Sequence, residues 1–113
     1  MWLATTIGFY SVGAHRDKKG VYVVRARTRK DAENVGKMFD VPVEENKTAD
    51  YRFRVHLNRK QIDTLLTSLV DGIDYSDFKS RVKKDPEQSK KLDQYHSIWS
   101  MLKEFQEKEA RKY

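Results

Sequence analysis

The chain has 113 residues, carries 23 Lys and Arg against 17 Asp and Glu for a formal net charge of +6, and contains no cysteine. The length supports one domain with a modest core, and the missing thiols exclude a disulfide scaffold, a thiolate metal site and a cysteine nucleophile. A charged fraction of 35% beside 38% hydrophobic residues describes a folded, highly soluble domain, and the positive excess favours nucleic acid or an acidic protein surface as partner.

Trp2 to Val12, WLATTIGFYSV, is an uncharged run rich in aromatic and β-branched residues, which suit an extended strand. It is too short for a bilayer span, which takes about 20 apolar residues, and no other segment is apolar enough. No basic residue precedes the run and no small-residue cleavage site follows it, so no signal peptide is predicted. The expected location is the cytoplasm, with no membrane partner. Apolar side chains occupy odd positions (Leu3, Ile7, Phe9) and even ones (Trp2, Ala4, Tyr10, Val12) alike. A strand covered on both faces belongs at the centre of a sheet.

Gly13 to Gly20 follows as a turn loaded with His15, Arg16, Lys18 and Lys19, and Val21 to Arg27, VYVVRAR, completes a hairpin. Thr28 caps a helix on which Ala32, Val35, Met38 and Phe39 form an apolar stripe. The polar segment from Asp40 to Asp50 reads as a loop. In YRFRVHL, Tyr51, Phe53, Val55 and Leu57 alternate with Arg52, Arg54 and His56, the pattern of a half-buried strand. Asn58 and Gln61 make a capping box for a helix along Ile62, Leu65, Leu66, Leu69, Val70 and Ile73, with Gly72 at its stop. A short helix over 76–83, with Phe78 and Val82 inward, leads to Asp85 and Pro86, an N-cap and a first-turn proline. The long terminal helix then carries Tyr95, Ile98, Trp99, Leu102 and Phe105 on one face, and 106–113 is expected to fray or project.

A right-handed helical crossover makes the second and third strands parallel and leaves the first between them, antiparallel to both. The predicted architecture is one α+β domain over 1–113. It has a small three-stranded sheet of order 2-1-3, a split β-α-β resembling part of a ferredoxin-like sheet, packed with helices.

The candidate site is the basic side of the two flanking strands. Arg25 and Arg27 share one face of the second, and Arg52, Arg54 and His56 share one face of the third. On a common face they border the central strand, where Trp2 or Tyr10 offers a ring for stacking. Exposed aromatics beside guanidinium groups are how several single-stranded nucleic-acid binders work. The same residues also fit a plain solvated strand face, or pairing with acids of the last helices, and neither strand carries the glycine-aromatic RNP pattern. His56 beside Arg54 is a candidate acid or base for a phosphodiester. His15, His56 and His96 form no ligand pattern, and Asp71, Asp74 and Asp77 suit turns and caps. No phosphate-binding glycine loop, HExxH or GxSxG occurs, so no metal and no cofactor is predicted. The terminal-helix stripe fits core packing over the sheet; a helix that projects instead offers a partner or homodimer surface.

WLATTIGFYS, then VRAR, then IDYSDFK ahead of a helix with Tyr95 and Trp99 resembles a family of short uncharacterised bacterial proteins. Those proteins open with W-L-x-T-T-I-G-F-[FY]-S and carry I-D-Y-S-N-F-K, so Asp77 stands where that pattern has Asn. The likeness runs through most of the chain in the same order. It implies a coherent domain and brings no chemistry, because no activity is established for that family.

The function these observations point to is a small non-enzymatic domain. It contacts nucleic acid or another polyanion through Arg25, Arg27, Arg52, Arg54 and His56, with Tyr10 for stacking and Arg16, Lys18 and Lys19 assisting. The alternative is a protein-interaction module, an accessory or inhibitor of a bacterium or mobile element, using the long helix or a sheet edge. A small phosphodiesterase or nuclease is the third reading.

Overall fold

The computed structural model describes residues 1–112, and the chain divides into two compact units, Met1–Asp74 and a second that begins at Tyr75. The first is an α+β unit built on one antiparallel sheet. Its strands are β1 (Trp2–Thr5), β2 (Gly8–Ala14), β3 (Val21–Ala26), β4 (Glu44–Glu45) and β5 (Phe53–Asn58), in the order β1-β2-β3-β5-β4. Two helices accompany it, α1 (Arg29–Phe39) and α2 (Arg59–Asp71).

This corrects the expected three-stranded, 2-1-3 arrangement at two points. First, the apolar opening run is not one central strand. It folds back on itself at Thr6 and Ile7, so that β1 lies at the sheet edge beside β2, with Leu3 opposite Tyr10. The Thr5 hydroxyl makes the turn: it donates to Gly8 O at 2.7 Å and accepts from the N–H groups of Gly8 and Ile7 at 3.1 and 3.2 Å. Asp31 of α1, 1% exposed, accepts the Phe9 N–H at 3.2 Å. Gly8 is needed there because a Cβ would stand 2.6 Å from Asp31 Cγ and from the Tyr10 hydroxyl. Apolar residues at both parities therefore record two short strands in sequence, not one strand covered twice.

Second, β3 and β5 are direct antiparallel neighbours, with Arg25 opposite Arg54 and Val24 opposite Val55. The crossover through α1 does lead to a strand parallel to β3, but that strand is β4. Both β3 and β4 run antiparallel to β5, which returns between them as the second arm of a hairpin. Glu44 and Glu45 lie inside the segment expected to be a loop, and two glutamates carry no strand signature. The central strand is β3.

The helices form where their caps dictate. The Thr28 side chain accepts the Asp31 N–H, and Asn58 and Gln61 complete a reciprocal capping box at 2.8 and 2.9 Å. Ala32 and Val35 of α1 and Ile62 and Leu65 of α2 join Tyr10, Val12, Val24, Ala26, Phe53, Val55 and Leu57 in one core. Both helices thus cover the same face of the sheet. Because side chains alternate along a strand, Trp2, Phe9, Ser11, Gly13, Val23, Arg25, Arg54 and His56 point to the other.

The second unit holds α3 (Phe78–Lys83), a 3-10 turn (Gln88–Lys91) and α4 (Leu92–Ala110). Asp77 is the N-cap residue of α3 and accepts the Ser80 hydroxyl. Asp85 accepts the N–H groups of Glu87 and Gln88, but the helix expected to start at Pro86 does not: a 3-10 turn opens at Gln88 with Glu87 as its N-cap residue, and α4 begins only at Leu92. Phe78 meets Tyr95 edge to face at 5.2 Å. Of the α4 stripe expected in the core, only Tyr95 is buried; Ile98, Trp99, Leu102 and Phe105 are 42–63% exposed. Within this unit α3 is too short to cover more than the start of a helix of 19 residues. Helix α4 continues to Ala110, aided by a Lys108–Glu104 pair at 3.1 Å. Tyr113 lies outside the described residues. No described helix is long and apolar enough to cross a membrane.

Candidate functional site

The basic residues of the first unit separate into two groups, and the sheet register decides which is which. Arg25 and Arg54 stand directly opposite each other on the face turned away from α1 and α2. Their row continues through Ser11 to Trp2 on one side and to Glu44 on the other. Among the described residues neither arginine has an acidic partner. Like charges directly opposite in a sheet are destabilising, and here the two side chains diverge. The Arg25 guanidinium leans along β2, where Nη1 lies 3.3 Å from the point a Cβ of Gly13 would occupy. Arg54 turns the other way, its Nη2 donating to Tyr51 O at 3.4 Å while its buried Nε has no partner.

Arg27 and Arg52, expected on the same face, are tied down by carboxylates. Arg27 donates to the backbone oxygen and to Oδ1 of Asp50 at 3.1 and 3.3 Å and lies 4.0 Å over the Tyr51 ring. Arg52 Nε donates to Glu45 Oε2 at 2.7 Å, and Arg29 takes the other oxygen at 2.7 Å. The Arg52 hydrogen bond, with the positive charge of Arg29 behind it, holds Glu45 below the usual carboxylate range. This trio closes the β4 edge and leaves Arg27 and Arg52 engaged.

Tyr10 is the clear misassignment. It is 0% exposed, and its hydroxyl donates to Asp31 O at 2.7 Å under α1. Leu3 and Ala26 are its cross-strand neighbours, so its parity places it on the helix-covered face. Trp2 has the opposite parity, is 72% exposed, and packs edge to face against Phe9 at 6.0 Å. It is the ring that shares a row with Arg25 and Arg54.

His56 stands two residues beyond Arg54 on the same face. Its Nδ1 lies 2.8 Å from Glu44 Oε2, and its ring is 5.5 Å from that of His15. His15 is fixed by accepting the N–H groups of Asp17 and Lys18 at Nδ1, at 3.0 and 3.1 Å. Sequence reasoning set His15 aside as a hairpin residue; the bond from its N–H to Val21 O, 2.8 Å, is what swings it toward β5. Arg16, Lys18 and Lys19 are exposed in the same hairpin. The face therefore runs from an aromatic end at Trp2 and Phe9, across Arg25 and Arg54, to a histidine end. Among the described residues no group of three His, Asp or Glu is arranged to hold a metal ion.

Comparison with protein families, with curated proteins and with solved structures gave no match for this chain.

Proposed function

We propose that the sheet face turned away from α1 and α2 binds single-stranded nucleic acid. The observation that carries this reading is the Arg25–Arg54 pair, two cross-strand guanidinium groups with no carboxylate partner among the described residues. An arrangement of like charges that disfavours the fold is relieved when the anionic backbone of a bound strand neutralises them. Exposed Trp2 lies in the same row about 9–10 Å from Arg25, two strand spacings away, and offers a stacking surface for a base. Arg16, Lys18 and Lys19 extend the positive field.

The test is anisotropy of labelled single- and double-stranded oligonucleotides across a salt series. Binding should weaken steeply with salt as counterions are released, and should be lost in Arg25→Ala/Arg54→Ala. Arg27→Ala and Arg52→Ala, each removing an arginine already paired, should change it little. Binding insensitive to salt, or unchanged in the double variant, would remove this reading.

A second reading rests on the exposed apolar residues of α4, with Met101 at 70%, Leu102 at 63% and Phe105 at 61%. A stripe of this kind suits a protein partner or a second copy of the chain. Sedimentation would report a homodimer, and co-purification a distinct partner. Either should be abolished by Leu102→Lys/Phe105→Lys.

A further inference from the structure

The histidine end of the basic face has a different chemistry from its centre. Arg25 and Arg54 offer fixed positive charge, which suits any phosphodiester. Around Val23, by contrast, donors of different kinds share one stretch of the face. Gly13, Val23 and His56 form one row of the sheet. The missing side chain of Gly13 leaves room for the Arg25 guanidinium, which leans into that row. His15 comes from the next row, its ring 5.5 Å from that of His56.

The protons of the two imidazoles are set by their anchors. His15 Nδ1 accepts two backbone N–H groups, so its proton sits on Nε2 and the ring is a neutral donor. His56 Nδ1 faces the Glu44 carboxylate, so Nδ1 carries a proton and Nε2 is the atom left to gain one. The charged groups around His56 are Glu44 on β4, Arg54 on its own strand, Arg25 on β3, and His15 with Asp17 and Lys18 in the hairpin. When His56 takes up a proton the end of the face presents a guanidinium, an imidazolium and a neutral N–H together.

We infer that this cluster of His15, His56 and Arg25 is a subsite for a terminal phosphomonoester of a nucleic-acid strand, engaged most strongly when His56 is protonated. The inference rests on the nucleic-acid reading above. A monoester presents three terminal oxygens and a charge near −2 at neutral pH, against the single charge of a diester. Three separate donors match the three oxygens of the former. Glu44 is a positioning residue that holds the His56 ring through the Nδ1 contact.

The experiment compares three labelled forms of one single-stranded oligonucleotide, with a 5′-phosphate, a 3′-phosphate or hydroxyl ends. Each is measured between about pH 5.5 and 8, the range over which imidazoles change charge. One of the phosphorylated forms should bind roughly tenfold tighter than the hydroxyl form near pH 6.5, and the advantage should shrink toward pH 8. His56→Gln should abolish both the advantage and its pH dependence, and His15→Ala should reduce it. Glu44→Gln, which frees the His56 ring from its 2.8 Å contact, should reduce the advantage. Binding of the hydroxyl form is measured for each variant as the reference against which its advantage for the phosphorylated form is taken. Inorganic phosphate should erase the advantage at a lower concentration than it displaces the hydroxyl form. Equal binding of all three oligonucleotides overturns the subsite while leaving the basic face standing. An advantage that survives His56→Gln overturns it too. Failure of the hydroxyl form itself to bind counts against the basic face instead.

Discussion

Replacing Arg25 by Glu should make this protein more stable and at the same time abolish the proposed binding. Arg25 and Arg54 occupy directly opposed positions on β3 and β5, where Cβ atoms lie about 4.5–5.5 Å apart. The substitution removes a like-charge pair and creates an opposite-charge pair. Each change is on the scale of roughly 0.2–1 kcal/mol at a half-exposed cross-strand position. The carboxylate also comes within reach of Arg54 Nε, which is buried without a partner. The combined gain is about 0.5–2 kcal/mol, a rise in Tm of roughly 2–8 °C for a chain of this size. Thermal unfolding followed by circular dichroism at about 0.02 M and about 0.5 M salt checks it. The gain should shrink at the higher salt, where screening acts within a few ångströms. Arg25→Glu/Arg54→Glu restores a like-charge pair and should fall back to near the parent stability. A gain of equal size in an Arg54→Ala background would refute the reasoning, because nothing would then connect it to the facing guanidinium.

Gly8→Ala should lower stability by about 1–3 kcal/mol, since its methyl would stand 2.6 Å from both Asp31 Cγ and the Tyr10 hydroxyl; chemical denaturation measures this, and an unchanged midpoint would mean that the turn has room to spare. Glu45, whose acidity is raised by its bond from Arg52, should contribute stability that is complete above its ordinary unfolded value of 4.5. That contribution is lost as pH falls through the lower folded value. Melting temperatures across the acid range should therefore decline less steeply in Glu45→Gln than in the parent. Leu102→Lys should change the unfolding free energy by less than about 0.5 kcal/mol, because Leu102 is 63% exposed. A loss of core size, about 2 kcal/mol or more, would mean that this part of α4 is packed.

The local signals in the chain were strong and mostly sufficient for local structure. Thr28 and the Asn58 and Gln61 pair cap where their side chains can reach backbone N–H groups, a matter of a few residues. The alternation in YRFRVHL assigned Phe53, Val55 and Leu57 to the core and Arg54 and His56 to the other face, and β5 obeys it. Two local readings failed for physical reasons. The Trp2–Val12 run has no strong turn residue between its halves, because its reversal is held by a threonine hydroxyl and by Asp31 from a distant helix. Strand β4 is two glutamates whose extended form is held by pairing with Arg54 and Phe53.

What the sequence determined by itself was composition, caps, periodicity and which residues of a strand share a face. Those properties depend on neighbours within a turn or a pleat. Only the tertiary structure decided that β3 is the central strand and that Tyr10 is buried while Trp2 is exposed. It alone paired Arg27 and Arg52 with acids, left Arg25 and Arg54 facing each other, and brought His15 to His56. Each of these depends on which strand lies beside which and in what register. Register is fixed by burying the whole apolar set on one side of the sheet at once, and that sum runs over residues far apart in the chain.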